Sequence, residues 1–472
     1  MPELVVVGGG PAGMAAALSA ATAGVAVTLL DAGARLGGQI YRQPLRDADG
    51  GGAPIGPHLP ARFAALRDAG VEVVTGRVVW AVAPVAGGYE LLLATPEGAG
   101  AGRLVAQALV LATGASELVL PFQGWELPGV TTAGAAQALL KGEGVLLGRR
   151  IVVAGSGPFL LPVAASLVRG GARVAAVVEA GNPLRRPAAL AGLCATPRVV
   201  RDALSYLAVL AAARVPLLTR AAITAAFGNE RVEEVVVSRL DTHWRPRPGG
   251  ERRYEVDAAC VSFGFVPRLE LARQLGLPDH TAPGRPGAAA RHDGGVTAIP
   301  GVFVAGEVTG IGGARLAELE GQRAGAAAAL HLGRGRARRP HHGAIARAAK
   351  VASALEALYP LASGWLDWSN EATVVCRCED VTVEALRRAL EGGARSVREL
   401  RSFTRCGMGY CQGRTCGPVL QLAVAAATGR ATGEVGDLHL RPVVTPVALG
   451  ALGAQDAPSA VGPNPASPST VV

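Results

Sequence analysis

The first 31 residues restrict the fold of this chain more than any other segment does. Leu4-Val5-Val6-Val7 is a short β-branched run. Gly8-Gly9-Gly10-Pro11-Ala12-Gly13 follows at once, then an Ala-rich stretch to about Ala23, a second apolar run from Val25 to Leu30, and Asp31. Strand, Gly-x-Gly-x-x-Gly, helix, strand and acid in that order, within about 30 residues, is the pattern of a dinucleotide-binding βαβ unit. Gly8 permits the tight turn, Gly10 lets backbone approach a pyrophosphate, and Gly13 lets helix and strand pack closely. Pro11 and Ala12 complete the turn. The helix N-terminus then offers free N–H groups and the positive end of its dipole to the phosphates. Asp31 is placed to accept hydrogen bonds from a ribose diol.

A second unit begins at Ile151-Val152-Val153-Ala154-Gly155-Ser156-Gly157-Pro158-Phe159-Leu160. Its next strand, Val174–Val178, ends at Glu179. The third glycine position is Leu160, and a branched side chain there should push the helix away from the strand. Gly155 and Gly157 keep the phosphate turn, and Glu179 stands where Asp31 stands in the first unit. Three occupancies stay open: a non-redox nucleotide such as ATP or a vestigial site, NAD, or none. NADP is disfavoured, because Glu179 would face its 2′-phosphate.

Two later segments bear on the cofactor of the first unit. Residues 108–114 read Ala-Leu-Val-Leu-Ala-Thr-Gly, a buried strand ending in the turn Thr113-Gly114, and residues 301–307 read Gly-Val-Phe-Val-Ala-Gly-Glu. Both resemble elements of the two-dinucleotide flavoprotein superfamily, in which the late acid bonds the ribitol of FAD. Here that acid is Glu307, after Gly306. Gly312-Gly313-Ala314 opens a helix to about Leu332, whose N-terminus could stabilise charge on a reduced flavin. Gly37-Gly38-Gln39 fits a loop passing close to the flavin. No cysteine lies in residues 32–60, and no Cys-x-x-Cys lies in the middle domain, so flavin-linked disulfide reduction by that route is excluded.

Five of the seven cysteines fall between Cys376 and Cys416. Without a secretory context, a metal or redox site is the default for such a cluster. Two short helices separate Cys376 and Cys378 from Cys406, Cys411 and Cys416. The first is capped by Thr382, the second by Ser396 with Glu399 in the capping-box position. Cys-x-Cys spacing is unusual for zinc and suits a [2Fe–2S] cluster. Cys376, Cys378, Cys406 and Cys411 are the first choice of ligands, with Cys416 as alternative to Cys406 or Cys411. Gly407, Gly409 and Gly413 let backbone N–H groups approach the sulfurs. Cys194 and Cys260 stand alone and read as packing residues.

With Gly8–Gly13, Gly37-Gly38-Gln39, Gly155–Pro162, Gly306-Glu307 and Thr404–Gly417 in view, the chain resembles the flavin-containing α subunits of heteromeric opine oxidases. Hydrogen cyanide synthase and multi-subunit proline, hydroxyproline and sarcosine oxidising enzymes are related. The cysteine module resembles a bacterioferritin-associated-ferredoxin-like [2Fe–2S] domain, whose second pair is usually Cys-x-x-Cys. That resemblance implies a partner β subunit of amino-acid-oxidase type, a small ferredoxin-like subunit in some members, an FMN at the subunit interface in others, and a quinone or other carrier as acceptor. It implies electron transfer, with the C–H and N–H chemistry on the partner. No acid–base or nucleophile constellation stands out in this chain, in keeping with that division. His58, His243, His280 and His292 are isolated and read as surface or loop residues.

The expected fold is α/β: two Rossmann-like dinucleotide domains, one inserted in the other, plus a small helical cysteine-rich module. Residues 1–120 and 258–332 form the FAD domain, 121–257 the second nucleotide-like domain, 333–372 a connector, 373–430 the cysteine module and 431–472 a tail. The net charge of +9 comes from dispersed arginines, since Lys141 and Lys350 are the only lysines, and aromatics make up 4%. No basic stripe interleaved with aromatics appears, which excludes nucleic-acid binding. Arg334, Arg336, Arg338 and Arg339, beside His341 and His342, read as a solvated linker. No signal peptide and no apolar run of ~18 residues is seen. A cytoplasmic protein, at most peripheral to a membrane, is expected. Two other functions compete: a stand-alone NAD(P)H-dependent FAD reductase, and a non-enzymatic redox sensor.

Overall fold

The computed structural model describes residues 2–44, 59–194, 196–282, 284–335, 341–438 and 443–453. His58, Arg336, Arg338, Arg339 and the Pro- and Ser-rich residues 455–472 lie outside the described residues, as does the side chain of Cys194.

The first domain is built on five parallel strands in the order Val302–Val304, Ala108–Leu111, Leu4–Val7, Val27–Leu30 and Glu72–Val74. Four of the five runs, all but Glu72–Val74, are buried along their whole length, as parallel strands covered on both faces must be. One face is covered by the helices Pro11–Ala21 and Gly313–His331, the other by the antiparallel sheet Val78–Val85, Gly88–Ala94 and Gly102–Ala106. The two helices touch backbone to backbone. A Cβ on Gly321 would lie 2.1 Å from the Ala12 carbonyl oxygen, and one on Gly325 2.2 Å from that of Ala16. Two glycines four apart share one helix face, and that face accepts nothing larger.

The second domain has five parallel strands in the order Leu217–Thr219, Arg173–Glu179, Arg150–Gly155, Ala258–Ser262 and Val130–Thr132. Here one expected boundary shifts. Ala258–Ser262 belongs to this sheet, not to the first domain, because it pairs with both Arg150–Gly155 and Val130–Thr132. A wholly buried apolar run fits the centre of either parallel sheet, so the sequence could not say which. The chain crosses between the domains on a two-stranded ribbon, Ala115–Glu117 out and Phe265–Pro267 back. A second antiparallel sheet, Ala221–Phe227, Glu234–Leu240 and Pro246–Glu255, covers this domain.

The cysteine module does not stand apart. The helix His342–Leu358 leads into a 3-10 turn, Ser363–Trp368. There Trp368 stacks on Trp244 with ring centroids 6.0 Å apart and donates its indole N–H to the Trp244 carbonyl at 2.8 Å. Beyond the strand pair Val374–Cys376 and Val381–Thr382 come the helices Val383–Glu391, Val397–Thr404 and Cys416–Thr428. Thr382 and Ser396 cap the first two by accepting from Ala385 N and Glu399 N, each worth about 1 kcal/mol. Val375, Leu386, Leu400 and Val424 of the module join Phe122, Trp125 and Phe263 of the second domain in one continuous core. Residues 443–453 strap back to the first domain, where Val444 N donates to Trp80 O at 2.9 Å and Ala448 N to Gly98 O at 2.8 Å. No helix among the described residues is long and apolar enough to cross a membrane.

Candidate flavin site and thiol centre

In the first turn the helix starts at Pro11, directly after Gly10, and its first turn carries no acid. Gly8 has φ +107°, and a Cβ there would sit 2.3 Å from Ala112 O. A Cβ on Gly13 would lie 1.7 Å from Gly8 O, so helix and strand are in backbone contact. Gly10 differs, because its Cβ would meet nothing nearer than Gly38 Cα at 3.9 Å. The fold therefore tolerates a side chain at Gly10 that a ligand on the turn would not. Asp31, expected at a ribose, accepts from Gly9 N at 2.5 Å and Gly33 N at 2.6 Å. Burial raises its pKa against those two hydrogen bonds.

The other residues expected on the flavin side converge on the same strand ends. Gly38 (φ +60°) passes Gly10, and Gln39 lies exposed on the next turn position. Thr113 Oγ1 donates to Arg268 O at 2.7 Å, and Arg268 N donates to Gly114 O at 3.0 Å. Gly306 (φ +76°) packs so closely that its Cβ would fall 2.7 Å from the Ala12 methyl. Glu307, raised in pKa by burial, accepts from Gly313 N at 3.2 Å. Sequence reasoning missed Glu320, whose carboxylate accepts from Gly306 N and Thr309 Oγ1, each at 3.0 Å, and so fixes this loop. Nothing local signals that role, since Glu320 reads as one more polar helical residue.

The second turn is built differently. Gly155 has φ +144° and a Cβ there would meet Ser262 O at 1.7 Å, while Gly157 (φ +129°) faces open space. The helix does not begin until Leu160, which is only 2% exposed in the domain core. Glu179 accepts from Gly157 N at 2.9 Å and Gly181 N at 2.8 Å, and burial raises its pKa to about 7. Tyr359, at the end of the connector helix, lies near enough for the Glu179 charge to act on it. Burial and that charge push its phenol up to about 12. Its carbonyl accepts from Arg285 Nη2 at 3.4 Å. A connector residue reaching this site was not foreseen. Cys260 is fully buried in the sheet beside it.

All five clustered cysteines come together. The sulfurs of Cys376, Cys406 and Cys416 lie within 4.8 Å of one another, and all three residues are buried. Cys416, the reserve candidate by sequence, is thus central, hydrogen-bonded to both Cys376 and Cys406. Cys378 and Cys411 form a second bonded pair, with Cys378 exposed. The Cys416 contact and burial hold the Cys376 thiol above its ordinary range. Backbone N–H groups reach in from Gly407 to Cys376 and from Gly413 and Thr415 to Cys411. Gly407 and Gly413 also have a packing reason to be glycine, since a Cβ on either would meet a Leu438 methyl, at 2.4 Å and 2.1 Å. Arg377, between the first two cysteines, lies 3.8 Å from the Trp125 ring centroid and donates to the Trp125 carbonyl. The module is thereby pinned to the second domain.

Residues 2–329 match the family model described as pyridine nucleotide-disulphide oxidoreductase, and residues 370–456 match the sarcosine oxidase A3 domain. The chain belongs to the pyridine nucleotide-disulphide oxidoreductase family. It is 33% identical to the A subunit of opine oxidase from Agrobacterium tumefaciens (strain Ach5), over 95% of this chain and 91% of that one. It is 31% identical to the HcnB subunit of hydrogen cyanide synthase from Pseudomonas protegens, over 96% and 97%. The alpha subunit of sarcosine oxidase from Corynebacterium sp. (strain P-1) is 30% identical, but this chain spans only 45% of it. In fold, it superposes on L-proline dehydrogenase from P. horikoshii with a TM-score of 0.70 at 20% identity, covering 96% of this chain and 79% of that one.

Membership of this flavin oxidoreductase family implies FAD, and the first site fits it. The space over Gly10, the helix N-terminus without an acid, and Glu307 beside Gly313 N–H form a cradle along the strand ends. The thiol centre fits a cation. Thiols packed this closely become favourable ligands once a positive ion is among them.

Proposed function

We propose that this chain is the electron-transferring subunit of a multi-subunit dehydrogenase or oxidase for amino- or imino-acid donors, of opine, hydroxyproline or glycine type. Its cofactors are FAD and a [2Fe–2S] cluster. It passes electrons from a flavin on an amino-acid-oxidase-like partner to a quinone or other carrier. The observation that carries this reading is the convergence of five thiols in a module fused to the core of the flavin scaffold. The scaffold itself has no redox cysteine pair in its middle domain, which removes the disulfide chemistry typical of its fold.

The relatives named as subunits of opine oxidase, hydrogen cyanide synthase and sarcosine oxidase support the donor class. Together, FAD and an iron–sulfur cluster supply the change from two-electron to one-electron traffic. The chain's own residues hold and orient. Gly8, Gly10, Pro11, Ala12, Gly13 and Asp31 take the dinucleotide end. Gly38, Gln39, Thr113, Gly114, Gly306, Glu307 and Gly313 take the flavin end. The facing pairs Cys376–Cys416 and Cys378–Cys411 favour these four as ligands over the set with Cys406, which stands as a fifth thiol against Cys416. Gly155, Gly157 and Glu179 would hold any second nucleotide, without hydride transfer.

Anaerobic purification of the full chain tests the reading. One flavin per chain, with iron and acid-labile sulfide in equal amounts, is expected, together with slow flavin bleaching by NADH. A colourless chain, or flavin reduced by NADH at catalytic rates, refutes it. Co-expression with an amino-acid-oxidase-like partner should yield a stable complex that reduces a quinone when given the amine donor.

A further inference from the structure

The loop between Cys411 and Cys416 carries one charged side chain, Arg414. Its guanidinium leaves the cysteine module altogether. Nε donates to Glu270 Oε1 at 2.8 Å, and Nη2 donates to the Val444 carbonyl. Both acceptors lie against the first domain, since Val444 is itself bonded to Trp80 O and Glu270 opens the helix Glu270–Gln274 that packs there. Two residues before Glu270, Arg268 is bonded on both sides to the Thr113-Gly114 turn, through Thr113 Oγ1 at 2.7 Å and Gly114 O at 3.0 Å. One ion pair and two backbone steps therefore join the flavin-side turn to the loop that holds two of the thiols. Two further links to the first domain, Gly287 N to Gln421 Oε1 at 2.6 Å and Arg273 to Asp437, come from residues beyond Cys416 in the chain.

We propose that Arg414 and Glu270 are a positioning pair that sets the reduction potential of the cysteine-held centre and registers it against the flavin turn. The inference rests on the reading that these thiols hold a redox centre. An electron added to that centre makes it more negative, so the fixed Arg414 charge favours the reduced form. Glu270 opposes it by partly neutralising the guanidinium, as it does the charge of neighbouring Arg268. The two side chains therefore act on the potential with opposite sign. A purely structural strap would not do so.

The test is an EPR-monitored redox titration of the full chain, prepared anaerobically as wild type, E270Q, R414Q and R414K. E270Q is expected to raise the midpoint and R414Q to lower it. Each should change the reduction equilibrium about tenfold, which is 59 mV for one electron. R414K, which keeps the charge, should stay closer to wild type than R414Q does. Shifts of the same sign in E270Q and R414Q, or none in either, would overturn the proposal while leaving the centre itself established. Should R414Q fail to fold, an upward shift in E270Q with R414K near wild type supports the pair, and its absence overturns it. A wild-type chain without iron overturns the reading of the site, and this inference with it.

Discussion

The two glycine turns have nearly the same sequence pattern and different architecture. Each follows a buried parallel strand, and each is closed by the acid at the end of the next strand. In the first, helix starts at Pro11, and Gly13 brings it into backbone contact with the strand. In the second, Leu160 occupies the Gly13 position and helix starts there, two residues later in the motif. The acids differ in the same sense. Asp31 reaches the middle residue of its turn, Gly9, while Glu179, one methylene longer, reaches the next, Gly157. Both also accept from the glycine two residues beyond them, Gly33 and Gly181. The amide that a phosphate would seek is thus bonded to carboxylate in the second turn, whereas Gly10 N–H has no protein acceptor among the described residues. One turn is open to a pyrophosphate, and the other is half closed by its own acid.

The largest expected effect on flavin content comes from making the first turn resemble the second. Gly13→Leu places side-chain atoms where Gly8 O stands, 1.7 Å from the new Cβ. Relief requires moving the helix, at the expense of its Gly321 and Gly325 contacts. Overpacking of this kind costs about 1–3 kcal/mol or more. The purified chain should carry less than about a tenth of the wild-type flavin, measured at 450 nm against protein, if the lost binding exceeds about 1.4 kcal/mol. Full flavin retention would show that close helix packing is not what makes the first turn a cofactor site.

The converse change should damage only stability. Leu160 is a core residue, so Leu160→Ala should lower the unfolding free energy by about 2–5 kcal/mol, with flavin content unchanged in the fraction that folds. Gly10→Ala separates ligand from fold. Backbone φ there is −74°, and the added methyl meets only Gly38 Cα at 3.9 Å, so apo stability should move by less than about 0.5 kcal/mol. Flavin affinity should still fall about tenfold or more, or about 1.4 kcal/mol, because the methyl enters the space a pyrophosphate would use. Titration of apo protein with FAD reads the second quantity and thermal melting the first. Equal affinity in Gly10→Ala and wild type would remove the pyrophosphate from that turn.

Local features of both turns were legible because they depend on short-range rules. Glycines at fixed offsets, an acid after a strand, and caps at Thr382 and Ser396 are each set by a few neighbouring residues. What the sequence hid is long-range. Ala258–Ser262 reads as a buried strand in either sheet, and only its pairing with Arg150–Gly155 assigns it to the second domain. Gly321 and Gly325 look like weak helix formers until Ala12 and Ala16 lie against them. Cys416 is a spare cysteine by spacing, yet the hairpin brings its sulfur to the middle of the thiols. Arg414 and Glu270 are 144 residues apart, and no periodicity joins them. The fusion of the cysteine module into the second domain depends on Trp125, Trp244 and Trp368, three aromatics without a shared local pattern.

The smallest effect is a pH dependence, and it decides what the second turn holds. Glu179 has a folded pKa of about 7 against an ordinary value of 4.5, raised by burial. Between those values the folded chain retains a proton that the unfolded chain has released. Stability therefore falls as pH rises from the lower value to the upper and is level above it. Glu179→Gln carries a constant penalty from its altered backbone bonds but should lack that slope, so melting curves of the two proteins should diverge with pH only in this window. Hydroxyls of a bound ribose would donate to the carboxylate, favour its charged form and bring the pKa down. Added ATP or NAD should then flatten the wild-type slope and leave Glu179→Gln unchanged. If neither nucleotide alters the slope, the half-closed turn is vestigial, and the resemblance between the two units ends at the strand and the glycines.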